Sequence, residues 1–215
     1  RNWVLAQFEK NYSMKVLGGY TGSGKTEILL QLQKSKLPVI DLEGLANHKG
    51  SAFGALGQNE QASQEQFENN LARTLFYIST QHPYFWIEDE SQRIGTNMLP
   101  ISFFKNMRNS VCYFIDIPFE YRLQFIVEAY GRFAIADLIA ATLRIQKRLG
   151  GLETKTAVNF LVENNVEAAF SILLKYYDKV YQKNIETAAI PKFKTEKIVA
   201  SEVHSIHNAG LLMHL

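Results

Sequence analysis

Gly19-Tyr20-Thr21-Gly22-Ser23-Gly24-Lys25-Thr26 is the stretch that decides how this chain folds. It fulfils the pattern G-x-x-x-x-G-K-[ST] in full, and both flanks have the character the pattern needs. Before it stands Met14-Lys15-Val16-Leu17-Gly18, a short apolar run that stops at glycines; after it, Lys25 to Lys34 contains no helix breaker. The reading is strand, turn, helix. Glycines let consecutive N–H groups turn toward phosphate oxygens, and the start of the helix adds partial positive charge. Lys25 reaches the terminal phosphates, and the Thr26 hydroxyl is placed to ligate Mg²⁺. Gly19 to Thr26 are therefore the expected phosphate-binding residues.

Further strands follow along the chain. Pro38-Val39-Ile40-Asp41-Leu42 is a β-branched run, and the polar, glycine-punctuated stretch from Glu43 to Asn59 after it is too long for a simple connection. Ser63-Gln64-Glu65-Gln66 has the form of a capping box, and Phe67, Leu71, Leu75 and Ile78 recur at helical spacing over about four turns. Tyr84-Phe85-Trp86-Ile87 reads as a third strand ending in Glu88-Asp89-Glu90, and Val111 to Ile115 as a fourth ending in Asp116. Strands alternating with helices imply parallel βαβ units. The expected fold class is α/β, a P-loop NTPase-like parallel sheet flanked by helices, with its core at 1–118. From Phe119 to about Lys183 the pattern is helical, with Gly131 and Gly150-Gly151 as punctuation, which predicts a helical C-terminal extension or lid over 119–190. Lys197-Ile198-Val199-Ala200 offers a last strand within 191–215, whereas His204 to Leu215 shows no clear period.

Composition narrows the function classes. With 215 residues, 47% hydrophobic and 20% charged, the chain is too apolar to be disordered and long enough to bury a substantial core. A net charge of +2 excludes a strong overall polyelectrolyte field, so any RNA contact must use a local basic face. The single cysteine, Cys112, excludes internal disulfides and Cys-cluster metal sites, and its apolar strand makes it a packing residue. No H-x-x-x-H, C-x-x-C or H-E-x-x-H spacing suggests zinc, and no Asn-Lys-x-Asp element suggests guanine recognition. No apolar run spans a bilayer and Arg1-Asn2-Trp3-Val4 is not a signal peptide, so a soluble, cytoplasmic protein without membrane contact is expected. A chain that begins with Arg is expected to be a fragment or a processed product.

Acids at the carboxyl ends of strands are natural company for a phosphate loop. Asp41, Glu43, Glu88, Asp89, Glu90 and Asp116 all fall there. Glu88 and Asp89 follow an apolar strand as a Walker-B-like acid does, so one of them is expected to hold Mg²⁺ or orient a nucleophile, with Asp89 a metal ligand beside Thr26. Helix capping, or pairing with Arg93 and Arg108, is the competing use. His48, next to Lys49 in the polar loop, reads equally as a ligand contact or a solvated histidine. Between Tyr121 and Leu152 five bases (Arg122, Arg132, Arg144, Lys147, Arg148) face two acids (Glu128, Asp137). Arg144, Lys147 and Arg148 at i, i+3 and i+4 share a helix face that suits RNA backbone or polyphosphate, unless it is merely solvated. Tyr176, Tyr177 and Tyr181 fit a helix core better than base stacking.

Several blocks extend beyond the generic loop: Gly22 to Glu27, Asp41-Leu42-Glu43-Gly44-Leu45-Ala46-Asn47-His48 through Gly54, Gln64 to Glu68, and Trp86-Ile87-Glu88-Asp89-Glu90-Ser91 with Arg93-Ile94-Gly95. In these the chain resembles the C-terminal P-loop domain of bacterial tRNA 2-selenouridine synthase, and Arg144 to Gly151 and Tyr176-Tyr177-Asp178 extend the likeness. The resemblance implies an enzyme that converts wobble 2-thiouridine of tRNA to 2-selenouridine through an S-geranylated intermediate, with geranyl diphosphate and selenophosphate as donors. It implies that Lys25, Thr26 and the loop amides hold diphosphate, that Asp41, Glu43 and His48 line the acceptor side, that Arg93 neutralises phosphate, and that the Arg144 face meets tRNA. ATP is not required. The family places a rhodanese-like domain with a catalytic cysteine ahead of this one; Cys112 does not carry that role, and complete selenation is not expected without that domain. Two other readings remain open. One is an ATP·Mg²⁺-dependent small-molecule or nucleoside kinase, with Asp41 near the acceptor hydroxyl and Arg122 or Arg132 on a lid. The other is a module that binds tRNA and phosphate for a separate catalytic domain.

Overall fold

Met14, Val16 and Leu17 leave almost no polar residue to face water, and a strand apolar on both faces belongs inside a parallel sheet. The computed structural model, which describes residues 1–187 and 194–215, puts this strand at the centre. In chain order the elements begin α1 (Asn2–Phe8), β1 (Met14–Gly19), α2 (Lys25–Lys34), β2 (Val39–Ile40), α3 (Leu42–Ala46) and α4 (Gln64–Gln81). They continue with β3 (Phe85–Glu88), β4 (Arg93–Ile94), β5 (Asn97–Met98), α5 (Ile101–Arg108) and β6 (Val111–Asp116). The helices α6 (Phe119–Tyr130), α7 (Ile135–Arg144), α8 (Gln146–Leu149), α9 (Gly151–Val162) and α10 (Val166–Thr187) follow, and β7 (Lys194–Val199) and α11 (Ser205–Leu212) complete the described chain.

Five strands form one parallel sheet in the order β2-β3-β1-β6-β7, confirming the α/β reading. After β1 the chain crosses to β2, returns through β3 to the neighbour of β1, and only then builds β6 on the other side, so a crevice opens at the carboxyl edge of β1. Register decides what meets there: Leu17 is opposite Glu88 and Gly19 is opposite Ile115. On one sheet face α1, α4 and α5 bury Phe8, Phe67, Leu71, Leu75 and Phe103; on the other, α2 and α11 bury Ile28, Leu29, Leu32 and Leu212 around Trp86. The start of α4 follows the expected capping box, Ser63 Oγ accepting the Gln66 N–H at 3.2 Å. Its Phe67, Leu71 and Leu75 are wholly buried, each contributing about 1.5–3 kcal/mol. A third apolar core joins α6, α7, α9 and α10 through Leu138, Ala141, Leu161, Phe170 and Leu173, and admits Phe53 from the loop after α3.

Some expectations are corrected. The run Pro38–Leu42 yields only Val39–Ile40 as strand, because Asp41 turns the chain into α3 by accepting the Gly44 N–H at 2.7 Å. The polar stretch after it therefore starts as a helix. Arg144, Lys147 and Arg148 do not share one helix face: α7 ends at Arg144, and Ile145, at φ −102 and ψ 6, separates it from α8. The last strand begins at Lys194, ahead of the expected Lys197, and α10 passes Lys183 to reach Thr187. The expected boundary at 190/191 lies outside the described residues. Helix α11 occupies a segment without visible period because Asn208, Ala209 and Leu212 pack inward while Ile206 and Leu211 stay exposed. Among the described residues no helix is long and apolar enough to cross a membrane.

Candidate functional site

Gly24 caps α2 with φ +70, a conformation that an L side chain adopts only at a cost, and its carbonyl accepts the Ile28 N–H at 2.9 Å. Lys25 bends back so that Nζ donates to the Gly19 carbonyl at 3.1 Å, spanning the loop it belongs to. Ser23 is buried, with no partner for its hydroxyl among the described residues. The loop residues Thr21 to Gly24, Lys25 and the amino end of a ten-residue helix thus border one cavity at one point.

Carboxylates gather on the other side of that point. Thr26 Oγ1 donates to Glu43 Oε2 at 2.8 Å, and the Glu43 N–H donates to Glu88 Oε1 at 2.7 Å. The second oxygen of Glu88 is buried without a partner among the described residues, a departure from the usual pairing of buried polar atoms that marks an incomplete polar site. Burial, then the nearby Asp41 and Glu43, hold the Glu88 carboxyl well above the usual carboxylate range. Burial also raises Glu43 against the pull of Lys25 and the Thr26 hydroxyl. Asp89 is engaged twice, by Arg108 at 2.9 Å and by the Tyr181 hydroxyl at 2.7 Å. Burial pushes Glu90 up to about 8, with repulsion from Glu43 adding to it.

This last group has a measurable consequence. In the folded chain Glu90 keeps its proton up to about pH 8, whereas unfolded it ionises near 4.5. The folded state binds more protons in between, so stability falls as pH rises from about 4.5 to about 8. Glu90→Gln removes that share: its melting temperature should decline less across this window than that of the parent, as read by scanning calorimetry. Parallel declines would contradict the assignment.

Gly50 crosses directly over these acids with φ +66, and a Cβ there would sit 2.7 Å from Glu90 Oε2 and 3.1 Å from Glu43 Oε1. Gly50→Ala is expected to destabilise the chain by about 1–2 kcal/mol in urea unfolding through backbone strain alone. An unchanged midpoint would mean that the loop relaxes freely.

The loop and the acids form one wall of a cavity of about 570 Å³. Lys49, Arg108 and Arg148 add positive charge to this wall, and the opposite wall is apolar, formed by α6 and α10 with Ile126, Tyr130, Phe170, Leu174 and Tyr177 among its residues. Arg122 fastens the two walls together. Its guanidinium is almost wholly buried, grips Asp178 with two bonds at 2.9 and 2.8 Å, and donates to the Thr21 carbonyl of the phosphate loop at 3.0 Å. The loop after α3 is fastened to the same helices: the Ala52 N–H donates to the Tyr177 hydroxyl at 3.2 Å, Arg144 reaches the Ala52 carbonyl at 3.4 Å, and Phe53 inserts beside Tyr130 and Phe170.

Residues 12–206 match the family described as the tRNA 2-selenouridine synthase AAA domain. The chain belongs to this family. The tRNA 2-selenouridine synthase of Shewanella frigidimarina is 35% identical, with 85% of this chain and 57% of that protein covered. The one from Nitrosomonas eutropha is 34% identical, with 72% of this chain and 39% of that protein covered. The chain spans about half the length of the curated relatives it matches. Among solved structures, a protein of Eubacterium ventriosum aligns over 95% of this chain and 97% of its own at a TM-score of 0.38 and 14% identity, too distant to argue from.

Within this synthase-family domain the residues expected from sequence divide into two sets. Gly19, Thr21 to Thr26, Glu43, Glu88, Asp89 and Arg148 line the cavity together. The others lie elsewhere. Tyr20 packs edge-on against Phe114 and Tyr181. Asp41 caps α3, and Asp116 pairs with Lys197 at 2.7 Å. His48 is buried against Gly54 and Gly95, outside the cavity lining, with no hydrogen-bond partner for its Nδ1 among the described residues, and burial together with Arg144 lowers its pKa. Arg93 is exposed on β4, its Nε on the Gly95 carbonyl at 3.1 Å. Lys147 lines a separate depression with Gln146, Gly151 and Lys155. Cys112 is buried in β6, as expected, and burial pushes its thiol up. The sequence reading missed the apolar wall, because residues at helical spacing on α6 and α10 look the same whether they face a core or a cavity.

Proposed function

We propose that this domain holds geranyl diphosphate and presents it to the sulfur of wobble 2-thiouridine in tRNA, as part of a tRNA 2-selenouridine synthase acting in the cytoplasm. The observation that carries the reading is the single cavity with a phosphate loop on one wall and an apolar lining on the other. A prenyl diphosphate has no polar group beyond its diphosphate, so it uses both walls in full, the loop for the anion and the apolar lining for the tail. Lys25, the loop amides and the start of α2 take the diphosphate, with Lys49, Arg108 and Arg148 close by. As the sulfur attacks the allylic carbon, the carbon–oxygen bond breaks, its electron pair leaves on diphosphate, and the N3 proton of the base passes to solvent water. The same groups stabilise the charge that develops on the leaving oxygen.

Mg²⁺ would be held here by few protein oxygens, since among the described residues no three Asp, Glu, His or Cys side chains are grouped to hold a metal. The Thr26 hydroxyl and Glu43 supply hard oxygens 2.8 Å apart, and Glu88 offers an unpartnered one nearby. Bound there, it would add charge neutralisation on the diphosphate. Asp89 is the weaker candidate, since Arg108 and Tyr181 already engage both its oxygens. Selenophosphate, also an anion, would enter the vacated phosphate site; its selenium would bond to C2 as the C2–sulfur bond breaks and geranyl thiol leaves, water would then cleave the selenium–phosphorus bond to release phosphate, and a rhodanese-like domain would complete the enzyme. Lys147 and Lys155, outside the cavity, suit contact with the tRNA backbone. The test supplies labelled geranyl diphosphate and 2-thiouridine tRNA, with and without a relative's rhodanese-like domain. S-geranylated tRNA with release of diphosphate is expected. ATP turnover with a phosphorylated product and no geranyl transfer would overturn the reading in favour of a kinase.

A further inference from the structure

Helices α6 and α10 pack against each other and diverge from the phosphate loop in step. Nearest the loop, Arg122 of α6 meets Asp178 of α10. One turn on, Ile126 stands over Gly22, where a Cβ would come within 2.8 Å of its Cγ1. A second turn on, Tyr130 meets Phe170 with ring centroids 6.0 Å apart. Phe53, delivered by the loop after α3, closes the triangle at 5.9 Å from Tyr130 and 5.3 Å from Phe170. All three rings line the cavity and are buried, and behind them the third apolar core continues without interruption. Eight residues of helix separate Arg122 from Tyr130, a distance on the order of 12 Å. Ile126, against Gly22, lines the cavity and Arg122 does not, so the lining from the loop to the rings is shorter than that and suits a short isoprenoid over a long one.

We infer that Phe53, Tyr130 and Phe170 form the end wall of the tail chamber and set the length of the apolar chain that the diphosphate ligand carries. The inference rests on the prenyl-donor reading above. Three rings from three separate elements, each held by the other two, make a stiff stop. A chain longer than the chamber must either push them apart or leave its end in water. Truncating Phe170 extends the chamber into the helical core, and filling the space beside Ala129, which also lines the cavity, shortens it.

The experiment measures dissociation constants of dimethylallyl, geranyl, farnesyl and inorganic diphosphate with Mg²⁺ for the parent chain, Phe170→Ala, Phe170→Leu and Ala129→Phe. The parent should favour geranyl over farnesyl by about tenfold or more. Phe170→Ala should erase or reverse that preference while inorganic diphosphate binds unchanged; Phe170→Leu should shift it in the same direction, and serves if the alanine variant does not fold. Ala129→Phe should move the preference toward dimethylallyl. An unaltered geranyl-to-farnesyl ratio in the folded Phe170 variants overturns the end-wall assignment and leaves the donor reading standing. If the parent binds no prenyl diphosphate better than inorganic diphosphate, the donor reading itself fails, and the end wall with it.

Discussion

Lys25→Ala should lower the affinity of the domain for geranyl diphosphate by roughly 100-fold or more, the scale reached when a preorganised charge is removed from a water-poor anion site. Among the described residues the side chain's hydrogen bond is to the Gly19 carbonyl, and its charge also favours the ionised forms of Glu43, Asp89 and Glu90 beside the cavity. Secondary structure should stay that of the parent, and the loss of affinity read by equilibrium dialysis should far exceed any shift in melting temperature. Lys25→Arg keeps the charge but brings a planar fork to a site shaped for a point charge, and should recover only part of the affinity. Undiminished binding in Lys25→Ala would remove the phosphate loop from the mechanism.

Arg122→Ala should have the largest effect on stability. Its guanidinium is 4% exposed and Asp178 18% exposed, so deleting the cation leaves a poorly solvated carboxylate and strips the Thr21 carbonyl of its donor. Removing one partner of a buried pair typically costs about 3–5 kcal/mol, which in a chain of this size lowers the melting temperature on the order of 10 °C. Because the same guanidinium ties the phosphate loop to α10, ligand affinity should fall as well. Replacing both partners, Arg122→Met with Asp178→Leu, should restore much of the stability without restoring the loop contact. A variant Arg122→Ala as stable as the parent would show that α6 and α10 hold together through their apolar faces alone.

The sequence was most readable where one residue type alone satisfies a local need. Gly24 and Lys25 announce the phosphate loop because few other residues turn the backbone there and place a cation over the anion. The alternation of apolar runs with Ser63-capped and loop-started helices carried the parallel sheet, and the sheet in turn carried Glu88 and Asp89 to the edge of β1. The acid on Thr26, however, is Glu43 rather than Asp89, and this depends on how α3 folds back after Asp41 caps it. Arg93 and His48 share the family-like blocks with the cavity residues, yet a motif records adjacency in the chain and leaves side-chain direction open. The apolar chamber was the least readable part. Tyr130, Phe170 and Leu174 have the spacing of any helix core, and only the placement of α6 and α10 beside the phosphate loop makes them line a cavity.

The most direct measurement is calorimetric titration of the domain with geranyl diphosphate·Mg²⁺ and, separately, with ATP·Mg²⁺. If one cavity serves phosphate and tail together, geranyl diphosphate binds more tightly than ATP and more tightly than inorganic diphosphate, with the negative heat-capacity change of apolar burial. Binding of ATP alone, with no response to geranyl diphosphate, would contradict the account.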